Sequence, residues 1–479
     1  MATAPSQKLS VREKVGYSLG DLAANLIFQT LVTYLANFYT DIYGLSPKQA
    51  SGVILVVGLV AAFGFNPLVG ALADRTNSRW GKFRPWILWT AVPLGVASVL
   101  AFTTPDFSDK GKLIYAVITY TLLLLLYAAN NLPYGALSGV ITGDMKERNS
   151  MSAYRFVAVM FAQFFVQVFM SSIIESAGNG NRSVGIQKLM IWMAIIGTVM
   201  LFITFFTTKE RIVPKPEQRS KLRDDLKHLS KNRPWLIMLV LTTLVFITLA
   251  MKGGGYKYYF DNYVDKESID SFLSPVLKGL SSVGLNFFGD NPVNAGFGLF
   301  NAGGILFMIV GILFSKKLAD KYGKRDVFGI ALFISTLFII AFYFYKPQSV
   351  QLMFITQILH GFFYGITIPL LWAMIADVAD YSEWKNNKRA TAIIFSAMMV
   401  GLKGGLAIGG SLLTWVLGEN GYVANAGTDQ PDSALNAIKM SISVFAAIPF
   451  IIGTSLLFFY HINKKMETQI EADLKARRN

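Results

Sequence analysis

Residues 63–86, FGFNPLVGALADRTNSRWGKFRPW, open as lipid-compatible sequence and close in a dense basic loop. An apolar run that stops against Arg75, Arg79, Lys82 and Arg84 is what a membrane-spanning helix does where it meets an anionic inner leaflet. The rest of the chain alternates in the same way. Of its 479 residues 53% are apolar and only 15% are charged, far less charge than a soluble domain of this size carries. Long apolar runs recur from Tyr17 to Tyr460, many containing a stretch of about 17–25 residues, the length that crosses hydrocarbon. Backbone polar groups in hydrocarbon must be paired internally, so such runs are helices. The reading is an all-α membrane protein.

Twelve spans are expected, at about 17–40, 48–73, 86–104, 113–141, 152–175, 187–207, 235–260, 294–317, 327–345, 349–376, 390–417 and 437–461. Lys and Arg concentrate at the N-terminus, in the loops from even to odd spans and at the C-terminus. This bias places both termini in the cytoplasm and the protein in the cell membrane. The basic segment after Ala73 then keeps the second span from sliding outward. The expected organisation is an N-terminal six-helix bundle (1–208), a cytoplasmic middle loop (209–234), and a C-terminal six-helix bundle with a cytoplasmic tail (235–479). Within the middle loop, Glu217–Lys231 is expected to form a surface helix. The outer connections near 261–293 and 418–436 are rich in Gly, Asn, Asp and Ser and read as loops.

Several classes are disfavoured. The first apolar run is too long for a secretory signal and lacks a small-residue cleavage site. There is no cysteine, hence no disulfide or thiolate chemistry, and the three histidines are scattered, which argues against a His-rich metal site. The net charge of +15 is divided among short loops, as topology requires, and makes no nucleic-acid surface. The spans hold no paired acids, metal cluster or Ser–His–Asp set, so an enzyme is not expected, nor a cofactor or bound metal. No sizeable cytoplasmic signalling domain is present, which argues against a sensor. A monomer is expected.

Each half echoes the other. GALADRTNSRWGKFRP follows the second span and SKKLADKYGKRD the eighth; LPYGALSGVITGD ends the fourth and IPLLWAMIADVAD the tenth. The interval from Pro133 to Asp144 equals that from Pro369 to Asp380. Two six-helix halves repeated in parallel order resemble the major facilitator architecture, in which a site lies near the midplane between halves. The matched loop charges read as gates that pair with helix ends when one side is shut. They are Asp74, Arg75 and Arg79; Asp144 with Arg148; Asp320 with Lys324; and Asp377, Asp380 and Glu383 with Arg389.

Charges within the spans mark candidate sites, because each is costly there. Arg155 begins the fifth span, Lys252 and Lys257 lie in the seventh, and Lys403 sits mid-span in the eleventh between glycines. Arg155 and Lys257 have stems long enough to snorkel to a membrane surface. Acids are few: Asp21 early in the first span, with Asp261 and Glu175 at span ends. The cations therefore border water, or a ligand supplies the missing negative charge. Asn25, Asn66, Asn130, Asn131, Gln163, Gln167 and Tyr127 add neutral polar groups suited to sugar hydroxyls, with Tyr120, Tyr134, Phe161 and Trp372 available to stack on a sugar ring. The same amides also serve as helix–helix glue. His360 is a packing residue or a proton carrier.

GYSLGDLAANL, FYTDIYGLS, NPLVGALADRTNSRWGKFRPW, NNLPYGALSGVITGD, AYRF, YKYYF, MIADVADYSEWKNNKRA and LKGG together resemble the glycoside–pentoside–hexuronide:cation symporters, the major facilitator branch that includes the melibiose permeases. The resemblance runs from about Arg12 to Lys464. It implies transport of a sugar, glycoside or uronide, with a co-transported cation. Arg155 and Lys403 match the family's functional cations. Asn25 and Asn131 stand where the melibiose permeases carry sugar-binding carboxylates, and Tyr127 lies one turn before Asn131. Lys252 and Trp372 complete the expected binding set. In those permeases the second helix also carries two carboxylates for the coupling cation. Asn66 and Ala62 occupy those positions here, so a sodium site of that kind is not expected. Protons are the expected ion, with Asp21 or His360 as carriers; uncoupled facilitation stays open, as does a lysolipid carrier on the same fold. With so few acids, an anionic uronide is an attractive substrate.

Overall fold

The computed structural model describes residues 8–212, 232–284, 287–289, 291–386 and 391–478. Glu217–Lys231, read as a surface helix, and Arg389, read as a gate residue, lie outside the described residues. Twelve helices are long and apolar enough to cross a membrane. In chain order α1 is Val11–Ile42, α2 Pro47–Ala73, α3 Arg84–Ala101, α4 Asp109–Ile141, α5 Lys146–Gly178, α6 Arg182–Thr207 and α7 Arg233–Asn262. A shorter helix α8, Lys266–Ser282, precedes α9 (Pro292–Tyr322), α10 (Lys324–Phe344), α11 (Val350–Lys385), α12 (Ile393–Glu419) and α13 (Asp432–Phe459). The chain closes with α14, Lys464–Arg478. Among the described residues there is no strand, only an isolated bridge between Ser78 and Gly81.

Local signals start the helices where sequence chemistry allows. A helix N-terminus exposes backbone N–H groups that a short polar side chain can accept. Ser10 caps α1, Asp144 caps α5, Asn181 caps α6, Asn232 caps α7, Asp265 caps α8 and Asn291 caps α9. Ser46 and Gln49 form a reciprocal capping box at α2. Pro47, Pro85, Pro234 and Pro292 occupy first-turn positions, where their missing N–H costs nothing.

The chain divides into two compact units. The first holds residues 1–217 with 287–289; the second holds the remainder. In the first unit three spans carry a π-helical turn: Phe38–Ile42 in α1, Ala61–Phe65 in α2 and Phe165–Phe169 in α5. Such turns insert a residue into the helical ladder and are frequent at functional sites. The α2 turn ends directly before Asn66 and Pro67.

In the second unit glycine sets the closest helix approach. A Cβ added at Gly311 would collide with the Phe362 carbonyl, one at Gly361 with the Gly304 carbonyl, and one at Gly365 with the Met308 carbonyl. The α9 and α11 backbones therefore lie against each other along a seam without side chains, as small residues permit in membranes. Gly405 and Gly409 bring α12 onto the Thr243 and Ile247 carbonyls of α7 in the same manner.

Two elements differ from the loop-and-tail reading. The connection near 261–293 contains α8, which buries Ile269 and Leu273 and sets Phe272 edge-to-face with Phe354 at 5.2 Å. Its apolar positions are four residues apart within polar sequence, an amphipathic signal too short to dominate the composition. The C-terminal tail forms α14, which docks on α11: Trp384 donates its indole N–H to Asp473 at 2.7 Å and Arg477 donates to the Trp384 carbonyl at 3.0 Å.

Gly361→Ala is expected to destabilise the protein by about 1–3 kcal/mol, because overpacking forces the helices apart. Gly279→Ala, at an open position in α8, is expected to be neutral or stabilising. Thermal unfolding of both variants in detergent micelles checks the contrast.

Candidate functional site

The first unit builds its polar centre from α1, α4 and α5. The Arg155 Nε donates to Asp21 Oδ2 at 2.9 Å, and the Asn25 amide donates to Asp21 Oδ1 at 3.2 Å and to the Asp21 carbonyl at 2.9 Å. Asp21 and Asn25 are one helical turn apart, so both reach the same face of α1. Beside them Tyr17 and Tyr134 stack, with ring centroids 4.6 Å apart. Their hydroxyls donate reciprocally, Tyr17 to the Tyr134 carbonyl at 3.2 Å and Tyr134 to the Tyr17 carbonyl at 2.8 Å. The Arg155 guanidinium lies 5.7 and 5.5 Å from these two rings, so cation–π attraction supplements the ion pair. Arg155 keeps 32% of its side-chain surface exposed while Asp21 keeps 7%. The site thus presents a guanidinium and an amide held in place by a buried carboxylate.

Other expected residues have local duties. Asn66 donates to the Ala62 carbonyl one turn earlier, at 3.3 Å. Tyr127 is buried in α4, Asn131 is half-buried, and Asn130 donates to Thr90 at 2.8 Å. Gln167, within the α5 π-turn, donates to Gln29 of α1 at 3.3 Å.

The second unit balances its cations differently. Lys257 donates to Asp261 at 2.6 Å and to Asn294 at 3.1 Å and is buried, so it does not snorkel to a surface. Lys252, also buried, meets His360 Nε2. Lys403 is half-buried on α12, and Trp372 packs against the unit's apolar core. Of the two alternatives read from the sequence, bordering water or a ligand's charge, neither is required for Lys257, and Arg155 is partly exposed as well as paired. Each has a carboxylate from its own unit, which is how a buried charge is tolerated. Among the described residues no group of three or more His, Cys, Asp or Glu converges as metal ligands would.

The loop charges bind helix ends within each unit. Glu210, which the sequence reading passed over, accepts from the backbone N–H groups of Lys82, Phe83 and Arg84 at 2.8, 2.7 and 2.9 Å. It places an anion at the α3 N-terminus, where the helix dipole and open donors favour one. Arg84 donates to the Phe205 carbonyl at 2.7 Å, and Arg79 lies over Trp80 at 4.4 Å. Glu13 pairs with Arg211 at 2.7 Å and holds that guanidinium above its ordinary range. Lys14 pairs with Glu147 at 2.9 Å. Arg148 bonds the Thr142 and Gly139 carbonyls at 2.8 and 2.9 Å, and Asp144 caps α5. Asp74 and Arg75 lie in the last turn of the second span.

In the second unit Lys324 donates to both oxygens of Asp377 at 2.6 Å and lies 3.8 Å from Glu467. Lys464 donates to the carbonyls of Asp320 and Lys321 at 2.9 Å. Asp320, Asp377, Asp380 and Glu467 line a pocket of about 760 Å³ at this end. The place of Glu210 in the sequence explains why it was missed: an acid three residues beyond a span looks like any loop charge.

Comparison with known proteins agrees with this construction. Residues 16–277 and 278–464 match the family model described as MFS/sugar transport protein. The inner membrane symporter YicJ of Escherichia coli (strain K12) is 35% identical over 93% of this chain and 90% of its own. The isoprimeverose transporter of Lactiplantibacillus pentosus is 30% identical over 97% and 91%. A glucuronide carrier protein homolog of Escherichia coli (strain K12) is 28% identical over 99% and 97%. Among solved structures, an inward-facing, occupied bacterial homolog of the human lysosomal transporter Spinster covers 97% of this chain and 99% of its own, with a TM-score of 0.64 and 14% identity, a likeness of fold. Twelve spanning helices in this fold define a multi-pass membrane transporter. The chain belongs to the MFS/sugar transport protein family, and within it to the glycoside–pentoside–hexuronide branch.

Two outcomes are expected. Asp21→Asn should lower sugar uptake at least tenfold, and the exchanged pair Asp21→Arg with Arg155→Asp should recover part of it; initial rates in cells, normalised to membrane protein, check this. Glu210→Gln keeps the shape but not the charge. It should lower the thermal midpoint, since hydrogen bonds to a charged acceptor contribute about 1.5–3 kcal/mol each.

Proposed function

We propose that the protein carries a sugar, glycoside or uronide across the cytoplasmic membrane as a cation symporter, with both termini cytoplasmic and a proton as the coupling ion. Family membership supplies the transport reading. The names of the relatives, an isoprimeverose transporter and a glucuronide carrier homolog, support the sugar class. The observation that carries the substrate site is the Asp21–Asn25–Arg155 constellation beside the stacked Tyr17 and Tyr134 rings. It offers hydrogen-bond donors and an acceptor within a span, groups that a hydroxylated ring requires, on a support made rigid by the buried Tyr17–Tyr134 stack. Tyr127, Asn131, Trp372 and Lys403 extend the proposed binding set, whereas Lys252, expected there from the sequence, meets His360.

Coupling by protons rather than sodium rests on the second span. Neither Asn66 nor Ala62 brings negative charge, and the Asn66 amide faces its own backbone. Sodium prefers hard oxygen ligands with net negative charge nearby. Alternating access is proposed to rock residues 1–208 against 235–479 about the middle segment 209–234. The Asp74–Arg79, Asp144–Arg148, Asp320–Lys324 and Asp377–Asp380 loops serve as gates, with Arg389 among them. A uronide has one support beyond the relative's name: Lys403, a half-buried mid-span cation, has a charge that a carboxylate would complement.

Uptake of isoprimeverose and of a methyl glucuronide into proteoliposomes, under imposed pH or sodium gradients, tests the reading. Accumulation driven by an inward proton gradient is expected. Equal uptake with no gradient points instead to a facilitator. Arg155→Ala and Lys403→Ala should each cut uptake at least tenfold without loss of membrane insertion, and wild-type rates in both would refute the site. Asn66→Asp should remain active and gain a response to sodium.

A further inference from the structure

The second unit contains a polar cluster that a sugar site does not explain. Lys252 of α7 and His360 of α11 meet side chain to side chain, with 8% and 3% of their surfaces exposed. The far ring nitrogen, His360 Nδ1, lies 3.2 Å from the Ser335 carbonyl and 2.9 Å from the Ser335 hydroxyl, both on α10. Tyr364 stacks on the imidazole at 5.8 Å, and the Lys252 ammonium lies 5.3 Å from the Tyr256 ring. Three helices therefore converge on two nitrogen bases inside an apolar bundle.

Hydrogen-bond logic limits the states of this pair. The Ser335 carbonyl only accepts, so the tautomer with a hydrogen on His360 Nδ1 satisfies it, while the Ser335 hydroxyl suits either tautomer; with Nδ1 protonated, Nε2 turns its lone pair to Lys252. The Lys252 ammonium fills that lone pair. Protonating both bases would set two like charges in direct contact in a low-dielectric interior and remove the acceptor between them. The pair therefore holds one proton beyond its neutral form, on Nζ or on Nε2, and releases it to become uncharged. The titratable and charged groups on the packed helices include Tyr256, Lys257, Tyr258, Tyr259 and Asp261 of α7, Tyr364 of α11, Lys403 of α12 and Lys439 of α13, with Lys324, Asp377 and Asp380 toward the far ends of α10 and α11. Lys257 and Asp261 neutralise each other at 2.6 Å, and Lys439 lies over Tyr343 at 4.9 Å. Neither Lys252 nor His360 has a carboxylate partner among the described residues.

We propose that Lys252 and His360 form a single-proton binding site in the second unit, and that loading and unloading this site couples sugar movement to the proton gradient. This rests on the transport reading above and moves Lys252 from substrate contact to proton carrier. The step is one N–H bond formed from bulk water on one side of the membrane and broken toward the other, with no further reactant. The contact with Ser335 keeps the imidazole in the accepting tautomer, so Ser335 is a positioning residue.

The test uses the full chain in two assays. In lipid nanodiscs, histidine NMR on isotope-labelled protein carrying His228→Gln and His461→Gln isolates His360. Its ring signals should change with pH between about 5 and 9 and lose their Lys252-bonded signature in Lys252→Met. An imidazole that ignores both pH and Lys252→Met overturns the proton site, whatever the substrate. In proteoliposomes, Lys252→Met, His360→Asn and Lys252→Arg should lose at least tenfold of proton-driven accumulation of isoprimeverose or methyl glucuronide while retaining isotope exchange at equal pH. Lys252→Arg is the decisive variant: it keeps the cation but does not release a proton. Wild-type proton-driven accumulation in Lys252→Arg overturns the coupling role. If the unmodified chain moves neither sugar in either mode, the substrate reading fails, and the NMR titration still decides the site.

Discussion

A charge surrounded by hydrocarbon must find its complement close at hand, and that constraint organises both units. Asp21 reaches across from α1 to Arg155 of α5, and the stacked Tyr17 and Tyr134 rings flank the guanidinium. Lys257 takes Asp261 and Asn294. Where no acid is present, Lys252 takes an imidazole. Each arrangement lowers the cost of desolvating the charge, and each fixes one helix against another. The polar groups available to a passing solute are therefore held rigidly, because the same bonds that make them tolerable also orient them.

The two halves repeat in sequence but solve the same mechanical problem with opposite charge. In the first unit a carboxylate, Glu210, is set on three backbone N–H groups at the start of α3. In the second an ammonium, Lys324, at the start of α10 grips Asp377 of α11. The π-turns extend the asymmetry. Among the described residues all three lie in the first unit, next to Asn66 and through Gln167. The second unit instead has glycine seams. One unit can adjust within its helices, and the other keeps its helices close and regular.

Much of the architecture was legible because lipid imposes length: twelve apolar runs became twelve helices. Helix α8 was not, since Ile269 and Leu273 are scattered among Lys, Asp and Ser, and α14 is almost wholly polar. The candidate site was legible as a list of unusual residues, not as a geometry. Asp21 and Arg155 both stood out, yet nothing local says that they pair, because three further helices of chain lie between them. Lys252 and His360 were likewise singled out and assigned to different tasks; only the fold brings them together. Glu210 left no signal, since its partners are backbone groups, which every sequence has.

The bare seam between α9 and α11 has a mechanical corollary. Side chains act as cushions: where they fill a helix interface, rotamer changes absorb small displacements. At Gly311, Gly361 and Gly365 nothing of that kind intervenes, since each faces the other helix's backbone. A sub-ångström shift of one backbone passes undamped to the other, so the two helices behave as one stiff beam. His360 is mounted at the seam, next to Gly361, and Asp377 lies toward the end of the same helix. Pro369 lies between them and removes one backbone hydrogen bond from that helix, so a displacement at the seam need not reach Asp377 unchanged.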